Sequence, residues 1–140
     1  LIRITTLSLF AILFAGCDGG RPMTNRTIDI YANTRLQSAG ISFPDGRSLG
    51  FGPDEYDRFG DLMRCLKPIE EVKEKSPTFN GDYALSWFAG MDPATIRVRV
   101  LETGKLRYTL DDYCYTGGNA KRFKELADSL LETYADRLRD

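Results

Sequence analysis

The sequence predicts an α+β fold: an antiparallel sheet of about five strands, covered by a long C-terminal helix, with a second, shorter helix at one edge. Three observations lead there. Residues 95–101 and 105–112 alternate apolar and polar side chains on either side of a Glu102-Thr103-Gly104 turn, the pattern of a half-buried hairpin. Phe123, Leu126, Ala127, Leu130, Leu131, Tyr134 and Leu138 recur at spacings of three and four, one long helical face. Tyr56, Phe59, Leu62, Met63 and Leu66 do the same over a shorter stretch.

Taken in order, residues 26–33 place Ile28, Ile30 and Ala32 on one side and Thr27, Asp29 and Tyr31 on the other, which reads as a strand. Residues 41–43 and 49–51 flank Pro44-Asp45-Gly46 and read as a short hairpin: Pro sets φ, Asp bonds the local backbone and Gly takes φ > 0. A helix is predicted over 53–67. Pro53 suits its first position, Asp54, Glu55 and Asp57 favour its positive end, and Arg64 and Lys67 its negative end. Pro68 stops it. Residues 69–77 are mostly charged and read as a solvated loop.

Residues 83–89 read as a strand with Tyr83, Leu85, Trp87 and Ala89 on one side. The next hairpin has two conceivable registers. A two-residue loop would pair Val100 with Arg107 and mix the faces. A three-residue loop pairs Val100 with Leu106, Val98 with Tyr108 and Ile96 with Leu110, and sets Gly104 at the left-handed position. The second register is therefore predicted. It turns Arg97, Arg99, Lys105 and Arg107 outward together, with Arg99 opposite Arg107, an arrangement that costs stability unless an anion lies between them. Residues 111–115 end that strand. Gly117-Gly118 break the chain, Asn119 caps, and the last helix covers 120–138. Trp87 and the tyrosines are assigned to the core.

The N-terminal stretch is of a different kind. Arg3 is the only charge before Asp18, and an apolar run fills residues 7–15. This is well short of the ~20 residues a membrane-spanning helix needs. Basic start, apolar centre and small residues before a break describe an export signal. The break, Phe14-Ala15-Gly16-Cys17, resembles the box that closes the signals of bacterial lipoprotein precursors, with Phe14 where Leu is usual. The resemblance covers only the first twenty or so residues. It implies cleavage after Gly16 and lipidation of Cys17, with acyl chains holding the protein at a membrane. Asp18 resembles the residue that retains some lipoproteins in the inner membrane. The implied organisation is a signal over 1–16, a lipidated cysteine and tether over 17–25, and a single domain over 26–140. The tether, residues 18–25, reaches about 27 Å when extended.

Composition narrows the function classes. With 19 basic and 20 acidic residues, formal net charge −1, the chain lacks the basic footprint of a nucleic-acid binder. There is no His, which removes His-dependent nucleophilic systems and His-ligated metals. Cys65 and Cys114 match no zinc spacing. Outside the cytoplasm they are predicted to form a disulfide, whose ~50-residue loop would contribute about 4 kcal/mol in the chain-entropy model; two free buried thiols are the alternative. Neither a metal nor a cofactor is implied. The expected function is a non-enzymatic, protein-binding envelope lipoprotein facing the periplasm, an inhibitor or immunity-type protein being one version. A structural or assembly subunit of an envelope complex is the alternative, and a hydrolase built on carboxylates alone ranks last. Arg97, Arg99, Lys105 and Arg107 are the candidate partner-binding residues; lipid headgroups are a second candidate target for the same face.

Overall fold

A computed structural model describes residues 21–90 and 92–140, so the signal, Cys17 and Asp18 lie outside the described residues. The fold is α+β. Helix α1 (Asn25–Asn33) is followed by β1 (Ser38–Ser42), β2 (Ser48–Gly50), a 3-10 turn (Pro53–Glu55) and α2 (Tyr56–Arg64). Then come β3 (Ile69–Glu74), β4 (Tyr83–Ala89), β5 (Asp92–Val100), β6 (Leu106–Leu110), β7 (Tyr113–Gly117) and α3 (Ala120–Thr133), with a closing 3-10 turn (Ala135–Arg137). The strands form one seven-stranded antiparallel sheet in the order β2-β1-β4-β5-β6-β7-β3.

The predicted β5–β6 register is the observed one: Val100 pairs with Leu106, Val98 with Tyr108 and Arg99 with Arg107. Leu101 N–H donates to the Lys105 carbonyl at 3.0 Å across the three-residue turn, and Gly104 has φ 88°. That register fixes the two faces. Leu85, Ile96, Val98, Leu106, Tyr108 and Tyr115 are buried on one side, and the three described helices lie there. Ring contacts make this concrete: Phe123 of α3 meets Tyr83 edge-on at 5.2 Å, Phe59 of α2 meets Trp87 at 5.8 Å, and Tyr31 of α1 meets Trp87 at 5.1 Å.

Three sequence expectations are corrected. The strand predicted over 26–33 is helix α1. Its apolar residues fit both periods, and the helical one wins: Ile28 is fully buried, Tyr31 and Ala32 pack beside it, and Ile30 is 53% exposed. Thr24 starts the helix with a capping box. Its hydroxyl accepts from Thr27 N–H at 3.2 Å, and its own N–H donates to Thr27 Oγ1 at 3.1 Å. The loop predicted over 69–77 holds β3, an edge strand antiparallel to β7. Being exposed along nearly its whole length, it needs no apolar face, and its alternation is one of charge rather than of apolar residues. The chain after β6 also does not simply end the strand. Asp111 and Asp112 form a two-residue turn, Asp111 at φ 53°, and Tyr113 begins β7. The sheet thus has seven strands rather than five.

The folded body also begins earlier than the predicted tether allows. Met23 is buried at 5% exposure, and its N–H donates to Tyr115 Oη at 2.6 Å. At the other end Arg137 makes a two-pronged pair with Glu55 (2.7 and 2.8 Å) and stacks on Tyr134 at 4.6 Å. Arg139 exchanges backbone hydrogen bonds with Ser48 (2.7 and 2.9 Å), so the C-terminal segment closes the outer edge of β2. The outer edge of β3 is bonded at its start, where Ile69 N–H donates to Asn25 Oδ1 at 2.8 Å; beyond that residue it has no such cover among the described residues.

Candidate functional site: the open face of the sheet

Because β5 and β6 bury Ile96, Val98, Leu106 and Tyr108, their odd-numbered residues project from the face that carries none of the described helices. Arg97 stands opposite Thr109 and Arg99 opposite Arg107. On the flanking strands the same face presents Ser86 and Thr95, bonded hydroxyl to hydroxyl at 3.1 Å, and then Thr116, Cys114, Lys73 and Glu71.

The like-charge opposition of Arg99 and Arg107 is relieved on one side only. Arg99 swings toward the β3–β4 connection. It donates from Nη2 to the Asn80 carbonyl, places Nε 4.0 Å from Asp82, and sets its guanidinium 5.4 Å from the centre of the Phe79 ring. Arg107 has no carboxylate or hydrogen-bond partner for its guanidinium among the described residues, nor has Arg97. The connection arches over the sheet and leaves a groove of about 330 Å³ beneath it, with Arg99, Arg107, Cys114 and Thr116 on the sheet side and Phe79 and Thr78 on the loop side. Glu71 and Glu74 also border it. They stand three apart on one strand, hence on opposite sides of the pleat, and Glu71 is paired with Lys73 at 2.9 Å. No facing carboxylate pair results.

Of the four predicted basic residues, the fold therefore brings Arg99 and Arg107 into one groove and leaves Arg97 beside it on the same face. Lys105 goes elsewhere: its Nζ lies 2.8 Å from Glu70 at the bulged start of β3. Sequence reasoning missed Lys73, Phe79 and Thr116, which complete the groove. The period-two order Glu71-Val72-Lys73 was the available signal for the first, and a lone aromatic in a polar stretch for the second.

The predicted disulfide is corrected. Cys65 and Cys114 are both free thiols. Cys65 caps α2 within the helical layer, its thiol donating to the Asp61 carbonyl at 3.3 Å. Cys114 pairs with Thr109 and Lys73 and projects into the groove. The sheet stands between them, and no local motion joins side chains on opposite faces. Burial pushes the Cys65 thiol up to about 11, with Arg122 opposing. Burial also raises the Cys114 thiol, with the nearby Arg107 opposing. Each thiol is thus neutral near pH 7.

The glycines before α3 are explained without a ligand. Gly117 and Gly118 have φ 153° and 76°, and a Cβ at either would overlap a backbone carbonyl oxygen, that of Pro68 or of Cys65. Gly118 and Asn119 donate to those same carbonyls at 3.0 and 2.8 Å. Their amides are spent on the chain itself. Among the described residues no three acidic or cysteine side chains converge as a metal site, and no helix is long and apolar enough to cross a membrane.

No protein-family model, curated protein or solved structure matches this chain.

Proposed function

We propose that this chain is a lipid-anchored envelope protein, facing the periplasm and retained at the inner membrane by Asp18, whose domain is a non-enzymatic protein-binding module. An inhibitor or immunity-type protein is its most concrete form. The observation that carries the reading is the face, free of helices among the described residues, on which Arg97 and Arg107 have no carboxylate partner among those residues. A partner presenting Asp or Glu side chains would supply the missing anions, and a sheet held rigid by three packed helices loses little entropy on binding. Acidic protein is favoured over lipid headgroups by the point of attachment. Met23 joins the body on the helical side, against Tyr115, opposite the arginine face.

Two experiments test the two halves. Metabolic labelling with a palmitate analogue should mark the parent chain and not Cys17→Ser, and the variant should leave the membrane fraction. Equal labelling or unchanged location overturns the anchor. For the module, crosslinking in intact cells should trap a defined acidic protein with the parent, and Arg97→Glu/Arg107→Glu should abolish that adduct. An adduct that survives double charge reversal overturns the arginine face as the contact. An assembly-subunit role is the second reading, favoured by the uncovered edge of β3.

A further inference from the structure

We infer that the outer edge of β3 is a self-recognition edge, on which a second copy of this chain adds its own β3 in antiparallel fashion about Val72. This inference stands independently of the anchor and of the arginine face. Lys75 N–H donates to the Asp112 carbonyl at 2.8 Å. Alternation along an antiparallel ladder then directs the N–H and C=O groups of Glu71 and Lys73 to β7, and those of Val72 and Glu74 to the outside. Val72 is 40% exposed, one of two large apolar side chains so exposed among the described residues.

Edge strands are ordinarily guarded by charge. Here the order of charges rejects most strands and admits this one. When two copies of Glu71-Val72-Lys73 run antiparallel about Val72, each Glu71 meets the other copy's Lys73, twice over, on the open face. Val72 meets Val72 on the opposite face, exchanging two backbone hydrogen bonds. Within one copy Glu71 and Lys73 already lie side by side at 2.9 Å, 51% and 73% exposed, so both are free to re-pair outward. The like-charge approach of Glu74 to Glu70 of the second copy also occurs twice, and each is blunted because Lys105 neutralises Glu70 at 2.8 Å. The opposite edge offers no equivalent, since β2 is short and already bonded to Arg139. The resulting two-fold axis is normal to the sheet. It extends one sheet through both copies, with every described helix on one side and both arginine grooves on the other.

Charge reversal and restoration test this. The detergent-solubilised full chain is followed by sedimentation, and a Val72→Cys/Cys114→Ser form by oxidative crosslinking. The parent should sediment at twice the monomer's protein mass. Val72→Cys should crosslink to itself, since paired Cα atoms ~5.5 Å apart suit a disulfide. Glu71→Lys, which creates two repulsive pairs, should weaken self-association about tenfold or more. Glu71→Lys/Lys73→Glu, which restores both pairs in reverse, should recover it. A monomeric parent at the highest attainable concentration overturns the inference and leaves the edge to a strand of some other protein. A dimer indifferent to Glu71→Lys, or not recovered by the double exchange, overturns this register.

Discussion

The two faces of the sheet are built from the same strands yet do opposite work. Toward the helices, Tyr108 stacks on Tyr115 at 5.4 Å, and the Tyr108 hydroxyl donates to the Leu66 carbonyl at 2.5 Å. No buried side-chain polar atom among the described residues lacks a partner. Away from them, Ser86, Arg97 and Arg107 stand in solvent, and Thr109 is the one buried threonine among the described residues. Stability is concentrated on one face, and the uncommitted charge on the other. A substitution should therefore be costly or nearly silent according to its parity along a strand.

The sharpest break of this contrast is Phe123→Ala. Phe123 is fully buried against Tyr83, so its loss should cost about 3–5 kcal/mol in chemical denaturation; Arg107→Ala should stay within about 0.5 kcal/mol. Gly118→Ala comes next. It places a side chain at φ 76° against the Cys65 carbonyl and should cost about 1–3 kcal/mol or more, read from the shift in denaturation midpoint at constant slope. Tyr115→Phe removes the acceptor of the Met23 amide. It should cost about 1 kcal/mol and speed hydrogen exchange at Met23, while amides of α3 keep their protection.

A smaller effect is pH-dependent. The Arg137 guanidinium, with the Gly52 amide, holds the Glu55 carboxyl down to about 2 from 4.5. A depressed folded value gives stability that is present above the ordinary carboxylate range and lost as pH falls through about 2. The parent should thus lose more stability between pH 5 and pH 2 than Arg137→Ala does, and equal slopes would count against the clamp. The smallest energetic effect is at Cys114, where replacement by Ser should be nearly neutral. The informative readout there is labelling. A neutral thiol reagent should modify Cys114 in the folded protein, and Cys65 only on unfolding. Protection of both until reductant is added would restore the disulfide.

Much of this was legible beforehand. The β5–β6 register followed from requiring one buried face, and α2, α3 and β4 from period and caps. Helix α1 was misread because Ile28, Ile30 and Ala32 satisfy a period of two while Ile28, Tyr31 and Ala32 satisfy a helix; the Thr24–Thr27 box decided it. Strand β3 carries no apolar side to mark it, and its pairing partner, β7, lies 39 to 48 residues further along the chain. The candidate site was half legible: the arginines could be placed on one face, but not the loop that arches over them.

Local pattern alone thus determined the class of fold, the inward face of the central hairpin and the outward set of arginines. Each follows from side-chain alternation against a turn of fixed length. Only the tertiary structure decided which arginines keep their charge unpaired, that the two thiols are separated by the sheet, and that one edge is closed while the other is open. Those depend on which distant strands become neighbours, and strand order is set by the packing of the whole chain rather than by any one segment of it.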